Sequence, residues 1–142
     1  MKNNKQVLTS ILHTAQMGQS GIRTVMNMAE TPGLEKELRS QLLEYDDVEV
    51  MALHLAKKKG WDLPKVNPVV QTMSSLSSRF RLLYGRPDST IAGMLIQGNT
   101  RGKILGLKNL HRAKALDPAI QSLANRLLEL EEQNIRSSQD YL

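Results

Sequence analysis

The chain has 142 residues, 40% of them hydrophobic and 23% charged, with a formal net charge of +5; these proportions fit one compact domain. One Phe, one Trp and three Tyr leave Leu, Ile, Val, Met and Ala to fill the core, which favours packed helices over a β-sandwich. The absence of cysteine excludes disulfides, thiolate metal sites and a cysteine nucleophile, and no apolar run approaches the ~20 residues of a membrane span. The start, Met1-Lys2-Asn3-Asn4-Lys5-Gln6, passes directly into an amphipathic pattern, so a cytoplasmic chain without a leader is expected.

Leu8, Ile11, Ala15, Gly18, Ile22, Val25 and Ala29 alternate in steps of three and four, the spacing of one helix face. Thr31-Pro32-Gly33 ends this helix, because proline cannot continue a hydrogen-bonded interior. A second face runs through Leu34, Leu38, Leu42, Tyr45, Val48, Ala52 and Leu55. It closes on Lys57-Lys58-Lys59 and Gly60, cations at the C-terminal dipole followed by a left-handed cap. Residues 60–87 read as a long connection carrying three of the five prolines, with a short helix opened by Asn67-Pro68 and ended by Gly85.

Asp88 or Ser89 can cap a third long helix with the stripe Ile91, Leu95, Gly98, Gly102, Leu105 and Asn109. Asp117-Pro118 opens a fourth, through Ile120, Leu123, Leu127 and Leu130 to Asn134 and Tyr141. No segment alternates with period two, so no strand is predicted. The fold class is all-α: a single four-helix-bundle domain over 1–142, with helical hairpins at 5–59 and 88–141 joined by one long crossover at 60–87. The halves look related, Gly18-Gln-Ser-Gly21 pairing with Gly98-Asn-Thr-Arg-Gly102 and Thr31-Pro32 with Asp117-Pro118.

This arrangement, with Leu34-Glu35-Lys36-Glu37-Leu38-Arg39 and the helix ending Lys59-Gly60-Trp61 before Pro64, resembles the ferritin-like superfamily and, more narrowly, the spore coat protein F family. The glycine pair Gly18 and Gly21 is similar to one in a bacterial ferritin-like family of unknown function. The resemblance implies a di-iron site built from one Glu on each of two helices and a Glu-x-x-His pair on each of the others. The pattern fails here. The second helix has Asp46-x-x-Glu49, the fourth has Glu132-x-x-Ile135, the corresponding zones of the first and third have Gln16 or Gln19 and Gln97, and Glu-x-x-His is absent. No metal, no cofactor and no catalytic residue is therefore expected.

Other candidate groups have ordinary readings. His13, His54 and His111 lie on three different helices and read as surface or boundary residues. The acidic residues Glu44, Asp46, Asp47 and Glu49 read as a solvated face, as do Glu129, Glu131 and Glu132, although Glu49 lies close enough to the inward seam to predict partial burial with a hydrogen-bonding partner. Gly98, Gly102 and Gly106 recur every fourth residue, each costing about 1 kcal/mol against alanine in a helix. Close packing, against Gly18 and Gly21 of the first helix or a second subunit, is the expected compensation.

Residues 1–56, 57–114 and 115–142 carry net charges of −2, +10 and −3. The leading expectation is a non-catalytic bundle that works by association, as a homo-oligomer or with other coat-type proteins, in the cytoplasm or spore coat as the resemblance implies. One alternative is an atypical carboxylate metal site from Asp46, Glu49, Glu132 and His54. Another is nucleic-acid binding through the basic block 57–114, disfavoured because only Trp61, Phe80 and Tyr84 could stack on bases.

Overall fold

A computed structural model describes residues 2–64 and 86–142. Four long helices account for most of them: α1 (Asn4–Val25), α2 (Pro32–Lys58), α3 (Pro87–Arg112) and α4 (Pro118–Gln139), with a 3-10 turn at Met26–Met28. No strand occurs among the described residues. No helix among them is long and apolar enough to cross a membrane.

The helix ends follow local chemistry. Asn3 and Gln6 form a reciprocal capping box at α1, the Asn3 side chain accepting from Gln6 N at 2.9 Å and Gln6 Oε1 from Asn3 N at 3.0 Å. Thr31-Pro32 and Asp117-Pro118 both stand at N-cap and first helical position, and Asp117 Oδ1 accepts from Ala119 N at 2.9 Å. Gly60, at φ +68°, ends α2 in the left-handed region that glycine adopts freely.

The start of α3 departs from expectation. Arg86 is the N-cap and Pro87 the first helical residue, so neither Asp88 nor Ser89 caps the helix. Asp88 instead reaches the α1–α2 turn, accepting from Glu30 N at 2.8 Å, from Thr31 N at 3.0 Å and from the Thr31 hydroxyl.

These end contacts define the topology. Lys2 N donates to Arg112 O at 3.0 Å, so α1 begins where α3 ends, and Asp88 brings the start of α3 to the end of α1. Lys59 Nζ pairs with Asp117 Oδ2 at 2.9 Å, and Asp117 N donates to Asn4 Oδ1 at 2.8 Å. Hence α1 and α4 run parallel, and each is antiparallel to α2 and α3. The chain leaves α2 at one end of the bundle and α3 starts at the other, about 40 Å away for 27 helical residues. The short helix expected between Asn67 and Gly85 lies outside the described residues.

The core is aliphatic. Leu8, Leu12, Ile22, Leu34, Leu38, Ile91 and Ile120 are fully buried, each worth roughly 1.5–3 kcal/mol relative to exposure. Leu63 and part of Trp61, just beyond α2, pack on the same core. On α3 the inward face differs from the predicted stripe. Ile91, Ala92, Leu95, Asn99 and Asn109 are buried, whereas Gly98 and Leu105 are exposed, Leu105 by 46%. Gly98 and Leu105 each lie one step, about 100°, around the helix from Asn99 and Gly106, which takes them off the seam with α4.

Candidate functional site

Polar side chains interrupt the aliphatic core around its middle. Tyr45 from α2, Asn99 from α3 and Glu131 and Asn134 from α4 are each at most 4% exposed. Gly18 makes the meeting possible: a methyl there would stand 2.6 Å from the Tyr45 ring, so only glycine lets that ring lie against α1. The Tyr45 hydroxyl donates to Asn99 Oδ1 at 2.7 Å, Asn134 Nδ2 donates to the same oxygen at 3.2 Å, and Asn99 Nδ2 donates to Leu95 O at 2.7 Å. Burial, with the Glu131 charge as a lesser cause, pushes the Tyr45 phenol well above its usual range, so it stays a donor.

Glu131 stands apart from this satisfied network. It is 1% exposed, its Oε2 has no hydrogen-bond partner among the described residues, and burial pushes its carboxyl up to about 8. Sequence reasoning placed Glu131 on a solvated face with Glu129 and Glu132. The correction follows from spacing: Leu127, Glu131, Asn134 and Ser138 continue the inward face at steps of four, three and four. The burial of Asn99, four residues after Leu95, was legible in the same way.

The glycines divide by what surrounds them. At Gly102 a methyl would stand 2.7 Å from Glu131 Cδ, and at Gly106 2.9 Å from Leu128 Cδ2, so these two admit α4 side chains rather than the expected backbone of α1. Gly21 and Gly98 have nothing within 4 Å of such a methyl. They border a cavity of about 300 Å³ between α1 and α3, lined also by Met17, Ile22, Val25, Met94 and Leu105, with Tyr45, Asn99 and Glu131 deeper in the bundle. The expectation that the whole ridge packs closely is thus corrected at Gly98 and Gly21, where the seam stays open.

The alternative ligand set does not come together. Asp46 accepts from Gln19 Nε2 at 2.7 Å and lies 3.8 Å from Arg23; Glu49, half-buried, accepts from Gln16 at 3.1 Å and Gln19 at 3.3 Å. Both therefore face α1. Glu132 is exposed on α4 beside Arg136 at 3.1 Å and Lys103 at 3.8 Å, and His54 is exposed on α2. Among the described residues no group of three or more His, Asp or Glu side chains could share a metal ion.

Iron, which the resemblance to ferritin-like proteins implies, is not suited by these donors. One carboxyl, two amides and a phenol converge where that chemistry needs several carboxylates and imidazoles. His13 hydrogen-bonds Pro64 O through Nε2 at 2.7 Å, and His111 is exposed. In the basic block, Lys59 and Lys103 are paired with acidic residues of the α4 segment. Comparison with known proteins finds no match to a family model, a curated protein or a solved structure.

Proposed function

We propose that this chain is a non-catalytic bundle of ferritin-like type that works by association, as a structural component of a homo-oligomer or a spore-coat type assembly. One observation carries the reading: the inward positions around the middle of the bundle hold Tyr45, Asn99 and Asn134 bonded to one another, with Glu131 as the lone carboxyl among them. Amides and a phenol that satisfy each other fix one packing arrangement and leave little donor capacity for a redox metal. The antiparallel pairing of α1 with α3, and the placing of the ends of α2 and α3 at opposite ends of the bundle, accord with a ferritin-like connection. The coat assignment rests on the likeness of the Leu34–Arg39 and Lys59–Trp61 segments to the spore coat protein F family.

Surface apolarity supports association. Leu43, Val50, Met51 and Leu53 of α2 and Ile104, Leu105 and Leu107 of α3 are 38–65% exposed, apolar surface that association would cover. Sedimentation velocity over a range of concentrations tests the reading, together with an anaerobic ferrous iron titration. Self-association that weakens in Val50→Lys, with no binding of iron, is the expected result. A strictly monomeric chain at every concentration, or binding of about two irons per chain, would overturn it.

A further inference from the structure

The cavity between α1 and α3 goes beyond a role in assembly. Its walls are mostly aliphatic and thioether side chains, and Gly21 and Gly98 keep it open. Its volume of about 300 Å³ is at the lower end of that of small-molecule pockets, ~300–1,000 Å³. Two independent features mark it as a binding site: an open-sided, mostly apolar cavity, and a carboxyl in its wall that is 1% exposed and has an oxygen without a donor among the described residues.

The chemistry of the missing partner follows from what the wall already satisfies. Tyr45 and Asn99 are engaged with each other, and Asn99 also with Asn134 and the Leu95 carbonyl. Thr14 and Arg101 also line the cavity, and Arg101 is exposed, so it sets a positive charge on the solvent side. Among the described residues no cation is paired with Glu131, and Lys103 and Arg136, on the neighbouring turns, both go to Glu132. An uncompensated buried carboxyl is costly, and an N–H donor carrying positive charge compensates it best. We propose that the cavity binds a small amphiphilic monoamine, its ammonium group donating to the Glu131 carboxylate, whose proton passes to solvent on binding, and its apolar body lying along Ile22, Val25, Met94 and Leu105. Arg101 at the mouth disfavours a second positive charge at the far end of the ligand, so a diamine binds more weakly than a monoamine.

Calorimetric titration with n-octylamine, n-octanol, octanoate and 1,8-diaminooctane tests this, with the backbone amide shifts of Gly21, Gly98 and Gly102 followed in parallel by NMR. The parent chain should bind n-octylamine saturably, at least about 10-fold more tightly than the other three, and should shift those amides. Glu131→Gln should weaken octylamine by about 10-fold or more while changing octanol by less than about 3-fold, the loss of a charged hydrogen bond with the apolar site intact. Gly98→Leu, which meets no atom within 4 Å of its Cβ, should abolish binding of all ligands without lowering the melting temperature, and Gly21→Leu serves as a second blocking variant. Absence of saturable octylamine binding to the parent would overturn the proposal. So would equal binding of octanol or octanoate, or octylamine affinity unchanged in Glu131→Gln or in both blocking variants.

Discussion

Glu131 lies with its carboxyl group against Gly102, so close that a methyl at Gly102 would stand 2.7 Å from Glu131 Cδ. The glycine of α3 and the acid of α4 thus form one unit: the missing side chain of one makes room for the buried carboxyl of the other.

The burial of Glu131 makes stability depend on pH with a definite sign. Folding raises its pKa from 4.5 to about 8, so between these values the native chain holds a proton that the unfolded chain releases. The ionisation therefore costs nothing below about pH 4.5. Its penalty grows as pH rises, at up to about 1.4 kcal/mol per pH unit, and levels off above about pH 8. Glu131→Gln removes the ionisation. In urea unfolding of parent and variant, the variant should gain on the parent steadily from about pH 5 to about pH 8. A difference that does not change with pH would show that the carboxylate is solvated.

Glycines on the same helix should respond oppositely to substitution. Gly98→Ala meets open space and should stabilise α3 by about 0.5–1 kcal/mol, the propensity gain of alanine. Gly102→Leu must displace the Glu131 carboxyl and should cost about 1–3 kcal/mol by overpacking. Thermal melts decide both signs. A Gly102→Leu melt at or above the parent would contradict the Glu131–Gly102 contact.

Asp88 ties the start of α3 to the α1–α2 turn. Burial works against its charge, but the Thr31 hydroxyl and the Glu30 and Thr31 amides outweigh it and hold the carboxyl below its usual range. Its contribution is present above the ordinary carboxyl pKa and is lost as pH falls through the lowered native value. Asp88→Ala should cost on the order of 1–3 kcal/mol at neutral pH, and the gap from the parent should narrow in acid. Hydrogen exchange at Glu30 and Thr31 should quicken in the variant. Unchanged exchange at both amides would show that this contact does not hold the turn.

Local chemistry made much of the fold legible from sequence. Leu8, Ile11, Ala15, Ile22 and Val25 mark the inner face of α1 by spacing alone, while Pro32, Gly60 and Pro118 place helix ends through constraints that act within a few residues. The tertiary structure decided the rest. Gly98, Gly102 and Gly106 present the same repeat along the chain, yet one borders a cavity, one receives a carboxyl and one receives Leu128, because the neighbouring helices lie at different distances from each. Asp88 had the sequence position of a cap and became a bridge once the α1–α2 turn was brought beside it. Glu129, Glu131 and Glu132 form one acidic run in sequence, but only Glu131 points inward, and its unpaired oxygen arises from which side chains of three other helices arrive around it. Helix periodicity can indicate that a residue faces the core; what meets it there is set by packing between segments far apart in the chain.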